Sequence, residues 1–169
     1  NIAYHGPSSI WASSSDGVEA GDANQALGFG ALFTETLGQN STAVGQGALY
    51  SQVSGSEADT GNVGIGKQAG YFNVTGTHNT YIGSDAGFGT SSTANNSNNT
   101  GIGSQAMNAV TTGSGNVGVG KEALTNIVDG NYNTAVGRNA GAAITTGDEN
   151  VMMGVNAGVG SLDVDRVVC

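Results

Sequence analysis

One phase of apolar and small positions runs through most of this chain. A short group recurs: usually Thr or Val, then a mostly small residue, then Leu, Ile, Val or Met. A glycine follows each group at once, and an alanine three residues later. The glycines are Gly28, Gly45, Gly66, Gly83, Gly103, Gly120, Gly137 and Gly154, spaced by 17, 21, 17, 20, 17, 17 and 17 residues. A fixed step with two insertions marks a repeat architecture, in which stacked units share one core.

The β-branched alternation within each group predicts a short strand, since such residues suit a pleated surface. The glycine predicts a strand end where a Cβ is in the way or φ is positive. Four residues before it stands Asn24, Asn62, Asn79, Asn99, Asn116, Asn133 or Asn150, with Ser41 in the remaining copy. Stacked in parallel, this asparagine column forms either an amide ladder between coils or a set of turns. Three residues earlier lies a second glycine column, Gly21, Gly38, Gly76, Gly113, Gly130 and Gly147, interrupted by Asp59 and Asn96. Those residue types predict a left-handed turn there. The residue after the alanine is either Gly or Leu/Met. Each unit reads as strand, bend, second extended stretch and turn.

The fold class that follows is all-β, a parallel solenoid of about eight coils. Residues 1–20 form an N-terminal cap or junction, with Trp11 covering the open end; 21–158 form the solenoid; 159–169 form a C-terminal strand leading to a further domain. Insertions fall at Ser51–Thr60 and around Gly89–Ser97, and in repeat proteins such segments map to surface loops. The expected core is thin: the aliphatic column Val44, Ile65, Ile82, Ile102, Val119 and Val136, plus the alanines. Small cores need staples or association, and a single cysteine allows no internal disulfide. Chains packed around a three-fold axis, burying the aliphatic column, answer that shortage.

Composition narrows the function. Thirteen acidic and four basic residues give a net charge of −9, which argues against nucleic acid and anionic membranes as partners. No apolar run is long enough to span a bilayer. Gly61–Lys67 and Gly115–Lys121 match the GxxxxGK phosphate loop, but Gln68 and Glu122 stand where Ser or Thr would hold magnesium, and the repeat itself accounts for the glycines. Acidic residues occupy no fixed column, so no calcium-binding repeat is read. His5 and His78 lack partners at metal-ligand spacing. Glu57/Asp59 and Asp148/Glu149 sit in turns rather than a cleft, against a glycosidase pair. Asn40-Ser41-Thr42 and Asn73-Val74-Thr75 match the N-glycosylation pattern. No catalytic residue, cofactor or metal site is assigned. Tyr71, Phe72, Tyr81 and Phe88 are candidate receptor contacts, as rings that stack on sugars; the alternative is packing between coils or chains.

The repeat Asn133-Thr134-Ala135-Val136-Gly137-Arg138-Asn139-Ala140-Gly141, with Asn79-Thr80-Tyr81-Ile82-Gly83 and Ser41-Thr42-Ala43-Val44-Gly45, resembles the head repeats of trimeric autotransporter adhesins. It looks still more like the shafts of bacteriophage tail fibres. The spacers Val110-Thr111-Thr112-Gly113 and Ile144-Thr145-Thr146-Gly147 belong to that likeness, which covers roughly residues 21–169. It implies a homotrimer of left-handed β-rolls, extracellular on a virion or bacterial surface, acting as a rod that presents or contacts a host glycan or protein. Such shafts often precede a chaperone domain, and Asp165-Arg166-Val167-Val168-Cys169 resembles the strand leading there. The adhesin repeats are shorter than 17 residues. Two other readings are a monomeric ice- or polysaccharide-binding solenoid, from the threonines Thr42, Thr80, Thr100 and Thr134, and a polysaccharide-degrading tailspike.

Overall fold

A computed structural model describes residues 23–35, 37–54, 59–90, 94–160 and 165–169. The expectations for residues 1–20, Gly21, Glu57 and Leu162–Val164 lie outside them. Eight three-residue strands stack in chain order into one parallel sheet: β1 (Gln25–Leu27), β2 (Thr42–Val44), β3 (Val63–Ile65), β4 (Thr80–Ile82), β5 (Thr100–Ile102), β6 (Val117–Val119), β7 (Thr134–Val136) and β8 (Val151–Met153). Each pairs residue for residue with the next, as Thr134↔Val151 and Val136↔Met153 do. The chain is a parallel β-solenoid.

The central glycine is required twice over. Its φ lies between 127° and 136° in all eight copies, a region closed to side-chain-bearing residues. In seven copies a Cβ would also strike the carbonyl of the central glycine one coil on. The second glycine column does not hold the left-handed turn expected of it. Gly38, Gly76, Gly113, Gly130 and Gly147 have no positive φ; the left-handed residue comes two positions later, as Asn40, Gly61, His78, Asn98, Gly115, Tyr132, Glu149 and Arg166. Space explains the glycines instead: a Cβ on Gly130 would lie 2.5 Å from the Gly147 oxygen. Among the described residues no second sheet forms beyond the bend. There the chain runs in turns with two further left-handed residues per coil, three in the fourth, tied to the next coil by bonds such as Leu124 N–H to Ala140 O at 2.9 Å.

The asparagine column is a ladder. Each Oδ1 accepts the backbone N–H of the equivalent residue one coil on: Asn62 from Asn79, Asn99 from Asn116 and Asn116 from Asn133, all at 2.8 Å. From Asn24 to Asn133 each Nδ2 donates to the carbonyl of the second glycine column or its replacement, as Asn116 does to Gly130 O at 2.7 Å. In the last coils the side-chain amides also bond one another, Asn150 to Asn133 at 2.9 Å. Where Ser41 breaks the column, Gln52 and Thr60 close the gap: Gln52 Nε2 donates to Ser41 Oγ at 3.0 Å and Gln52 Oε1 accepts from Asn62 at 2.9 Å.

The aliphatic column is not in the core. With the asparagines turned inward, the period of two turns the middle strand residue inward and the aliphatic outward. Ala43, Tyr81, Ala135 and Met152 are fully buried, while Ile65, Ile102 and Val136 keep more than a third of their surface exposed. The core is built from the alanine column, Leu32, Leu49, Met107 and Leu124 after it, and Val110, Ile127 and Ile144 further along. Those Leu and Met residues sit at φ 48–52°, a strain of about 1–2 kcal/mol each offset by burying a large side chain, ~1.5–3 kcal/mol. The Gly/Leu alternation is a fit of sizes. A Cβ on Gly70 would lie 2.6 Å from Leu49, and one on Gly141 would lie 2.8 Å from Leu124; the Tyr81 ring fills the space beside Gly87.

Tyr81 closes this packing with a 2.6 Å hydrogen bond from its hydroxyl to Asn96 Oδ1. Tyr81→Phe is expected to cost about 1–2 kcal/mol, read as a lower midpoint in a thermal melt; an unchanged midpoint would show the hydroxyl contributes nothing. In the first coils the interior turns polar. Glu35 is buried and accepts from Leu37 N, Gly38 N, Ser54 N and Gln52 Nε2 at 2.7–3.2 Å.

The second insertion is partly woven into the wall, with Ala94 and Asn96 buried and Val74 N–H bonded to Ala94 O at 2.9 Å. Residues 165–169 do not leave the pattern either. Val168 bridges Val151 in parallel, and Val167 N–H donates to Asn150 Oδ1 at 2.8 Å. They open a ninth coil, with Val167 in the asparagine column.

Candidate functional site

Two surfaces stand out. The first is the outer side of the sheet. Alternation places two residues per coil on it, for example Thr134 and Val136, with Asn133 and Ala135 buried, and the exposed Tyr132 and Arg138 flank them before and after the strand. One inner column is Gln25, Thr42, Val63, Thr80, Thr100, Val117, Thr134 and Val151; the other is Leu27, Val44, Ile65, Ile82, Ile102, Val119, Val136 and Met153. All of these residues are half-buried or exposed. The result is an unbroken, mostly aliphatic and β-branched strip along the rod. Residues Lys67, Lys121 and Arg138 border it in one outer column, and His78, Tyr132, Glu149 and Arg166 stand in the other.

The second surface is an aromatic ladder. Phe33, Tyr50, Tyr71 and Phe88 fall five residues after successive central glycines. Their rings stack at centroid distances of 5.0, 4.8 and 5.4 Å with interplanar angles of 5°, 4° and 21°. Phe72 meets Tyr71 and Phe88 edge-on at 4.7 and 5.2 Å. Three of the four candidate receptor contacts, Tyr71, Phe72 and Phe88, belong to this ladder. Tyr81 does not: it is wholly buried, and burial raises the pKa of its hydroxyl. It cannot touch a receptor, because its strand position points inward. Phe33 and Tyr50 were missed, although reading one column across the copies exposes them. Stacking occupies the ring faces that a sugar would use, so the row presents ring edges sideways, and its first rung, Phe33, is the most exposed.

The GxxxxGK matches form no phosphate cradle. Both run through a strand, β3 or β6, and no helix N-terminus follows. Among the described residues, no three His, Cys, Asp or Glu side chains are placed to hold a metal ion, and no helix is long and apolar enough to cross a membrane. Asp148 and Asp165 act as backbone acceptors: Asp148 Oδ1 takes the Asn131 N–H at 2.6 Å, and Asp165 Oδ1 the Asp148 N–H at 2.9 Å. Comparison with family models, curated proteins and solved structures returned no match.

Proposed function

We propose that this chain is a segment of a homotrimeric attachment fibre, of the kind found in phage tail fibres and bacterial surface adhesins. It works outside the cell as a stiff rod that presents or contacts a host-surface glycan or protein. The observation behind this reading is the outer sheet strip. The aliphatic column is absent from the chain's own core, yet stays apolar from Leu27 to Met153. Exposed apolar surface of that extent marks an interaction site. A parallel rod presenting one such flat side is suited to pack against copies of itself around a shared axis. The strip then serves assembly, which leaves the aromatic ladder and the insertions for the receptor.

Light scattering on the full chain at several concentrations tests this. A stable trimer is expected, and Ile102→Asp, which sets three carboxylates near the axis without touching the chain's own core, is expected to yield monomers. A folded wild-type monomer across the micromolar range would end the reading. A second reading takes the same strip as an ice- or polysaccharide-binding face, because Thr42, Thr80, Thr100 and Thr134 lie in one column of a flat parallel sheet. Thermal hysteresis from a monomer is its expected sign.

A further inference from the structure

The two GxxxxGK segments differ from the other coils in a second way, on the opposite border of the strip. In the outer column before the strands, glycine occurs only at Gly61 and Gly115, and rings occur only at His78 and Tyr132, each one coil further on. Each ring lies down over the glycine beneath it. A Cβ on Gly115 would be 2.7 Å from Tyr132 Cδ1, and one on Gly61 would be 3.0 Å from His78 Cδ2. In the outer column after the strands, lysine occurs only at Lys67 and Lys121, six residues beyond those same glycines. Glycine and lysine therefore coincide twice, on the third coil and on the sixth, each time with a ring on the next coil.

Within one chain the ring and the lysine cannot meet. They stand on opposite borders of the strip, with a three-residue strand and its bend glycine between the two columns. Tyr132, His78, Lys67 and Lys121 are all exposed. Lys121 holds a 3.0 Å ion pair with Glu122, itself part-exposed and so contributing little. In a parallel trimer with the strips facing the axis, the border after the strands of one copy meets the border before the strands of the next, a heterologous contact.

We propose that Lys67 and Lys121 of one copy seat on the rings of His78 and Tyr132 of the adjacent copy, so that two cation–π contacts per interface set the three chains level and parallel. An ammonium over an aromatic face is favourable and gains from partial desolvation. The missing Cβ of each glycine leaves room for the edge of the ring beside the coil that carries the lysine. This inference rests on the trimer reading above and adds the register, which a uniform aliphatic strip repeating coil after coil leaves undetermined.

Cysteine pairs test it in the full chain, with Cys169, which is free and exposed, changed to Ser. The pair Lys121→Cys with Tyr132→Cys is expected to give a covalent trimer on a non-reducing denaturing gel, and each single change none. The pair Lys67→Cys with His78→Cys repeats the test at the second site. Lys67→Cys with Tyr132→Cys, whose positions lie on distant coils, is expected to stay unlinked. A trimer by light scattering in which neither level pair links, or in which the distant pair links instead, overturns the proposed register while leaving the trimer standing. A monomer by light scattering overturns both.

Discussion

Gly120→Ala is expected to disrupt the solenoid, whereas Gly154→Ala, the same change in the same column, is expected to be tolerated far better. Both glycines sit near φ 130°, so both substitutions meet a backbone strain of about 1–3 kcal/mol. They differ in what lies beyond. A Cβ on Gly120 would be 2.5 Å from the Gly137 oxygen, while one on Gly154 meets nothing within 4 Å in these 169 residues, which carry no ninth central glycine. To make room, the sixth and seventh coils must part where Gly137 N–H bonds Val119 O at 2.8 Å. The total for Gly120→Ala is about 4 kcal/mol or more, the range of severe core lesions. Thermal melts by circular dichroism should show a drop for Gly120→Ala at least twice that for Gly154→Ala. Equal drops would mean that strain alone, and not contact between coils, keeps the column glycine.

Asn116→Ala is the second large effect. Its Oδ1 accepts from Asn133 N at 2.8 Å and Asn133 Nδ2 at 3.1 Å, and its Nδ2 donates to Gly130 O at 2.7 Å and Asn99 Oδ1 at 3.2 Å. Truncation orphans a buried N–H and a buried carbonyl at about 1–3 kcal/mol each, or roughly 4 kcal/mol together. Asn116→Asp keeps the acceptor but turns a carboxylate toward two acceptor oxygens. Its neutral form is favoured in the fold, so its folded pKa is raised above the unfolded value. The variant's deficit against wild type should therefore shrink as pH falls toward the carboxylate range. A deficit that does not change with pH would show that the site lets water in. Asn116→Ser is expected to fail as well. Ser41 succeeds in this column because Gln52 and Thr60 bond around it, while the position matching Gln52 in the sixth coil is the apolar Ile127.

The step, the parallel stacking and the central glycine were legible in the sequence, because each depends on the backbone alone and recurs in every copy. The side to which the aliphatic column points was not. A period of two has two phases, and Ile65 or Val136 fits a core as well as an interface. The deciding element was the asparagine column, whose inward placement sets the phase of the strand. Tyr81 was misread for a related reason: Ala and Gly dominate its column, so an aromatic there looked like surface. The polar core at Glu35 and Gln52 was hidden because their column is apolar only in later coils, at Val110, Ile127 and Ile144. Of the candidate contact residues, Tyr71, Phe72 and Phe88 were found from local clustering, while Phe33 and Tyr50 needed the column.

The fit of sizes inside the rod bears on how such a chain can change over generations. Backbones of this kind look modular, as if any coil could be duplicated, deleted or moved with no effect but rod length. Interior partners forbid that. Leu49 rests beside Gly64 and Gly70, Tyr81 beside Gly87 and Gly101, and Met152 beside Gly141. Transplanting the fourth coil between the sixth and seventh would set Tyr81 in the middle-strand place that Ala135 now holds after the sixth coil, and would leave a void where it came from. These fits tie each coil to its neighbours, and lengthening the rod by recombination should succeed in blocks that keep each large side chain with its glycines.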